Sequence, residues 1–256
     1  MRTITLISTL QQNHLLAAIS ADSRSRLLPH MELVELPHGK VLHEIGKKID
    51  YVYFPIDTIV AIVAMLENGD CTEVSMVGNE GLVGISSFMS GDTIPQQTVV
   101  RSAGYAYRIP ATQLKDEFSR HGEMLSLLLS YTQTLITQTA QTAICNRHHT
   151  IEQQLCRILL QSLDRIRGDE LTVTHENIAT MLGVRRESVT EAAGRMKGMG
   201  LIECRRGRLK VLDRSGLESL CCECYRVVRN ETERLLPRTS SFRRFQSQTL
   251  STPSNR

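Results

Sequence analysis

Arg185, Arg186, Glu187, Ser188 and Glu191 stand within one short stretch and carry the hydrogen-bonding groups that suit the edges of DNA bases. Arginine offers two donors that match guanine O6 and N7, glutamate accepts from cytosine N4, and serine serves either role. Such groups discriminate only when a rigid element holds them. Val189, Ala192, Ala193 and Met196 recur at i, i+3, i+4 and i+7, which predicts a helix that buries this stripe and leaves the five polar residues at its exposed N-terminal end. Upstream, Thr174 is an N-cap candidate at the same polar edge, Ile178, Ala179 and Leu182 share a helical face, and Gly183 is placed to end that helix in a tight turn. Two helices joined by a short glycine turn can set the second in a major groove.

The following residues extend the pattern. Leu201 to Cys204 and Leu209 to Leu212 read as two short strands around Arg205, Arg206, Gly207 and Arg208, a basic wing beside the second helix. Between Arg185 and Lys210 there are eight Lys or Arg against three Glu, although the whole chain has a net charge of only +3. Phosphate neutralisation needs a local patch of this kind rather than a basic protein.

The chain's 256 residues, 41% of them hydrophobic, suffice for two modest domains. The first 150 residues carry 11 basic and 14 acidic side chains and the rest 19 and 13, so nucleic-acid contact is expected in the second half alone. No membrane-length apolar run or signal-peptide core is seen, and a cytoplasmic location is expected. Seven cysteines, at 71, 145, 156, 204, 221, 222 and 224, suit reduced thiols better than a disulfide framework.

Cys221 and Cys224, three apart, are expected to share a helix face as a two-thiolate metal or redox pair, but with no fourth ligand evident nearby they read as small buried hydrophobes. No cofactor or metal is therefore expected. His43-Glu44 and His175-Glu176 lack the second histidine of a zinc-protease motif, and no nucleophile elbow or phosphate loop occurs, which argues against an enzyme.

Periodicity divides the rest. Asn13 and the segment 21–31 read as two short helices, and from Met31 to Pro110 short strands alternate with turns such as Asn68-Gly69-Asp70, indicating an antiparallel barrel or roll. Met124, Leu125, Leu128, Leu129, Leu135, Ile136, Ala140, Ala143 and Ile144 then line a helix of about 30 residues, roughly 45 Å long, which is expected to pack against its copy in a homodimer. Leu128 and Leu135 are the expected seam. Asn146 to His149 read as a polar hinge, and the segment 237–256 as a disordered basic tail.

This order of parts resembles the cyclic-AMP receptor protein/fumarate-nitrate regulator (Crp/Fnr) family of bacterial transcription factors across about residues 13–236. The stretches "LPHGKVLHEIGKKIDYVYFP" and "LTVTHENIATMLGVRRESVTEAAGRMKGMGLIE" carry the likeness most specifically. The expected fold is α+β, with a cyclic-nucleotide-binding-like β-roll of the jelly-roll type and N-terminal helices (1–115), a dimerisation helix and hinge (116–150), a winged helix-turn-helix (151–236) and a tail. The resemblance implies a homodimer that binds a two-fold operator in double-stranded DNA and contacts RNA polymerase, with Arg186 and Glu187 matching the Arg-Glu pair of the nucleotide-binding branch.

It also implies a test of the roll. Glu80 matches the ribose-binding glutamate of nucleotide-binding members, but the glycine before it is Asn79, and the position of the phosphate-clamping arginine reads Ile94, Pro95, Gln96. Arg101-Ser102-Ala103 has the right letters too far along. A buried phosphate with no cation is costly, so a regulator not controlled by cyclic AMP is expected. The alternatives are retained cyclic-nucleotide control and an adaptor that does not read DNA. The first cysteine is Cys71, so the N-terminal iron–sulfur cluster of the oxygen-sensing branch has no ligands here.

Overall fold

The computed structural model describes residues 10–89 and 91–236; the basic tail expected at 237–256 lies outside the described residues. Asn13 caps α1 (His14–Ala18) by accepting from the Leu16 amide, and Ser20 caps α2 (Ala21–Leu27). Seven strands follow: β1 (Glu32–Leu36), β2 (Val41–His43), β3 (Tyr51–Pro55), β4 (Ile59–Met65), β5 (Cys71–Val77), β6 (Gln97–Ser102) and β7 (Gly104–Pro110). They form two antiparallel sheets, β1-β7-β3 and β2-β6-β4-β5, that enclose the roll core of Phe54, Val60, Val77, Leu82, Val100 and Tyr107. The β4–β5 hairpin turns at Asn68-Gly69-Asp70, where Gly69 takes φ 90° and the Asn68 side chain accepts from the Asp70 amide. The last expected strand run is two strands, β6 and β7, broken at Ala103.

α3 (Ala111–Phe118) leads to α4 (Glu123–His148), a 26-residue helix about 39 Å long. Its apolar residues divide between two faces. Met124, Leu128, Tyr131 and Leu135 are buried in the roll core of the same chain, whereas Leu129, Ile136 and Ile144 are about half exposed. The expectation that Leu128 and Leu135 form an intersubunit seam is therefore corrected: both are occupied by their own roll.

α5 (Ile151–Leu163), β8 (Glu170–Thr172), α6 (His175–Leu182), α7 (Arg186–Gly198), β9 (Ile202–Arg205), β10 (Arg208–Val211), α8 (Arg214–Leu220) and α9 (Glu223–Leu235) complete the described chain. The wing is three-stranded, in the order β8-β10-β9; β8 is too short to leave a periodic signal. A second core of Leu155, Ile158, Leu159, Ile178, Leu182 and Val189 also takes in Ile59 and Met76 from the roll, so the two cores meet at β4 and β5. Thr72 Oγ1 donates to the Met181 carbonyl at 3.2 Å across this junction.

Candidate nucleic-acid interface and the junction behind it

The helix pair is fixed by local chemistry. Thr174 Oγ1 accepts from the Asn177 amide at 3.1 Å, and Asn177 Oδ1 accepts from the Thr174 amide at 3.1 Å, a reciprocal cap at the start of α6. At its other end Gly183 adopts φ 65° and ψ 37°, and the Val184 amide returns to the Ala179 carbonyl at 3.0 Å. Only a residue at ease in the left-handed region allows this turn. Arg185 then caps α7 in an extended conformation, and Val189, Ala192, Ala193 and Met196 are buried beneath it.

The opposite face of α7 presents Arg185, Arg186, Glu187 and Glu191 exposed and Ser188 half-buried. Arg186 Nε lies 3.9 Å from Glu176 Oε2, with both side chains about two-thirds exposed, so this pair holds the arginine only weakly. Thr190 left no signal in the sequence, and His175 entered only as half of an incomplete zinc-protease motif. Thr190 Oγ1 donates to the Arg186 carbonyl at 3.0 Å and meets His175 Nδ1 at 3.1 Å, which ties the exposed face of α7 to the start of α6.

The wing turn is Arg206-Gly207, with φ of 42° and 80°. Two successive positive φ values match the twist of a two-residue hairpin, and a glycine at the second position is the usual solution. This turn lies close to Thr174: a methyl group at Gly207 would sit 3.7 Å from its Cγ2. Arg205 pairs with Glu203 at 2.6 Å and Arg208 with Glu170 at 3.0 Å, while among the described residues Arg206 forms no ion pair. The wing turn thus stands beside the Thr174 cap at the start of α6, the helix whose Glu176 lies near Arg186.

Glu80 lies elsewhere, where the roll meets the helix-turn-helix. It accepts from the Gly78 amide at 3.1 Å and from Arg165 Nε at 2.8 Å, and both side chains are close to nine-tenths buried. A Cβ on Gly78 would fall 2.7 Å from the Arg165 side chain, and one on Gly81 2.2 Å from the Tyr131 ring. Asn13 Nδ2 donates to the Gly81 carbonyl at 2.8 Å and Tyr131 Oη to that of Leu82 at 2.8 Å. The segment 78–82 is thus clamped by α1, by α4 and by Arg165. Ile94 is buried, and Arg101, inside β6, pairs with Glu73 at 3.4 Å. Burial, opposed by Arg101, pushes the Glu73 carboxyl up to about 7.

The cysteine expectation is corrected on two points. α8 ends at Leu220, so Cys221 and Cys224 do not share the helix after the wing; Cys222 caps the next helix, α9. Fourth-ligand chemistry is also present: Cys222 and Cys224 meet Cys145 and His149 from the end of α4.

With this geometry in view, a family profile described as the Crp-like helix-turn-helix domain matches residues 153–220. The whole fold is similar to that of a putative Crp/Fnr-family transcriptional regulator from Eubacterium rectale (TM-score 0.65, 16% identity, covering 82% of this chain and 98% of that one). It is also similar to the c-di-GMP responsive global regulator CLP of Xanthomonas campestris (0.61, 18%, 76% and 100%) and to FixK2 from Bradyrhizobium japonicum (0.62, 13%, 75% and 98%). No curated protein sequence matches this chain. The resemblance read from the sequence holds for one domain and for the fold: residues 153–220 match the Crp-like helix-turn-helix domain, and the chain shares the fold of these solved Crp/Fnr-type structures. Among the described residues no helix is long and apolar enough to cross a membrane.

Proposed function

We propose that this chain binds a two-fold operator in double-stranded DNA as a homodimer, with α7 in the major groove and the wing on phosphate. The exposed Arg186-Glu187 edge on a helix whose opposite face is fully packed carries this reading. In it Arg186 donates to guanine, Glu187 accepts from cytosine, Ser188 and Glu191 border the read bases, and Arg185, Arg205, Arg206, Arg208 and the capped Thr174 hold the backbone.

Dimerisation is supported by α4. Leu129, Gln133, Ile136, Ala140 and Ala143 repeat at alternating spacings of four and three, all exposed, and Ile144 adjoins them. That is the spacing of a helix–helix seam, and a protein with an uncovered stripe of this kind gains by pairing it with a second copy. Two reading helices related by a two-fold axis then meet two half-sites about one DNA turn apart. RNA polymerase is the further partner this reading implies.

The roll is read as not controlled by cyclic AMP. Glu80 is already engaged by Arg165, Arg101 by Glu73, and Ile94, Pro95 and Gln96 bring no cation to a phosphate. The Xanthomonas relative is c-di-GMP responsive, which favours nucleotide control as the second reading. Selection of bound sequences from a random DNA pool, repeated with cyclic AMP, cyclic GMP and c-di-GMP, tests both. A two-fold motif recovered equally with and without nucleotide supports the first reading, and a motif recovered only with a nucleotide replaces it by the second. Recovery of no motif under any condition favours an adaptor.

A further inference from the structure

Cys145 lies in the last turn of α4 and His149 is its C-cap; Cys222 is the N-cap of α9 and Cys224 lies in that helix's first turn. One ligand atom from each falls within 4.8 Å of the other three. Cys145 Sγ to Cys222 Sγ is 3.6 Å, and Cys224 Sγ to His149 Nδ1 is 3.6 Å. A tetrahedron of metal–sulfur bonds of about 2.3 Å has edges of about 3.8 Å, so these separations need only small adjustment to surround one ion. We propose that Cys145, His149, Cys222 and Cys224 form a mononuclear zinc site that fastens α9 to the end of α4.

The surroundings supply what a thiolate-rich zinc site requires. Cys145, Cys222 and Cys224 are at most 6% exposed. Arg157, itself buried, donates from Nε to Cys145 Sγ at 3.2 Å. Its other contacts are to the neutral Thr142, Gln161 and Asn146 side chains, and among the described residues it forms no ion pair with a carboxylate. Three thiolates, one neutral imidazole and Zn²⁺ sum to −1, which the Arg157 guanidinium balances. Glu73 lines the same small cavity as Arg157 and acts on it through space, but it makes no ion-pair contact with it, so Cys145 is the group in direct contact with the guanidinium that can carry a negative charge.

His149 is oriented from the far side of its ring: Nε2 stands 3.5 Å from Glu223 Oε2. A carboxylate behind the non-ligating nitrogen is the usual second partner of a zinc-bound histidine. The His149 backbone is held on both sides, its amide donating to the Cys145 carbonyl at 3.1 Å and its carbonyl accepting from Gln154 Nε2 at 2.8 Å. The N-terminus of the 13-residue α9 adds a favourable partial charge for a thiolate at Cys222. Mixed sulfur and nitrogen donors at tetrahedral spacing favour zinc over harder cations.

Zinc binding here displaces the thiol protons of Cys145, Cys222 and Cys224 to solvent and needs no oxidant. It is independent of the DNA-binding reading, because the site is built from α4 and α9 rather than from α7. The rival fate of the same residues is a Cys145–Cys222 disulfide, which requires an oxidant and would consume two of the ligands.

The test uses the full chain, purified under reducing conditions and stripped with a chelator. Co²⁺ titration is expected to saturate at one ion per chain, with thiolate-to-cobalt charge-transfer absorption and the intense visible bands of tetrahedral cobalt, all bleached by one equivalent of Zn²⁺. Cys224→Ser and His149→Gln are expected to weaken binding at least tenfold, and Cys204→Ser to leave it unchanged; circular dichroism establishes that each variant is folded. Zn²⁺ is expected to raise the melting temperature of the wild type but not of Cys224→Ser. The proposal is overturned if the reduced wild type shows no charge-transfer band at stoichiometric Co²⁺, if folded Cys224→Ser keeps the wild-type spectrum, or if only the Cys145–Cys222 disulfide is found and zinc does not prevent it.

Discussion

Arg165, two residues beyond α5, donates from Nε to Oε1 of Glu80 at 2.8 Å, joining the helix-turn-helix half of the chain to a loop of the roll. The same loop is held by Asn13 and Tyr131, so one short segment registers the positions of α1, α4 and the helix-turn-helix half together. The residue that the resemblance marks for an effector here accepts a hydrogen bond from an arginine of the neighbouring half.

Arg165→Ala is expected to loosen this docking rather than unfold either core. Removing one partner of a fully buried pair costs about 3–5 kcal/mol, but here the domains can part and let water reach Glu80, so a smaller loss is expected. Hydrogen exchange should quicken in residues 78–84 and along β5, with α7 unaffected. Unchanged exchange at β5 would mean that Thr72 and Met76 hold the junction without the ion pair.

Leu129→Asp combined with Ile136→Asp is expected to convert a dimer to a monomer in sedimentation while the roll stays folded, because both side chains stand on the exposed face of α4. Leu128→Asp is expected to act differently. Leu128 is 1% exposed within its own roll, and a carboxylate buried there should destabilise the fold by several kcal/mol. A dimer that survives the double substitution would place the interface elsewhere.

Glu73 sets a pH dependence. Its folded pKa, about 7, lies above the ordinary value of 4.5, so the fold favours the protonated form. The associated stability is fully present below pH 4.5 and is lost as pH rises through 7, amounting at most to about 3 kcal/mol. Glu73→Gln, which keeps a neutral side chain, is expected to flatten the fall in melting temperature between pH 5 and pH 8. Parallel profiles for wild type and variant would show that Arg101 keeps Glu73 ionised throughout.

The wing arginines differ in freedom. Arg205 and Arg208 each have a carboxylate partner, whereas Arg206 stands at the hairpin tip. Arg206→Ala is expected to weaken binding to all DNA sequences alike and to reduce the salt slope by about one. A sequence-dependent loss would make the wing a base reader.

What was legible in the sequence was what neighbouring residues decide. Gly183, the Val189–Met196 stripe and the Arg206-Gly207 turn act over a few positions, so the helix pair and wing could be read directly. The α4 stripe was visible too, but helical periodicity does not say which half of a wide apolar band meets its own roll. The Glu80–Arg165 pair and the Cys145–Cys222 approach join residues 85 and 77 positions apart. Tertiary packing creates them, and no local pattern announces the partner.

The central claim, that Arg186 and Glu187 read bases, is tested most directly by competition binding of wild type, Arg186→Ala and Glu187→Ala against single-base variants of the selected operator. Each substitution is expected to cost about 1–3 kcal/mol and to erase discrimination at one base step while leaving the others intact. If Arg186→Ala instead loses the same factor on every variant, Arg186 holds phosphate and the base-reading assignment is contradicted.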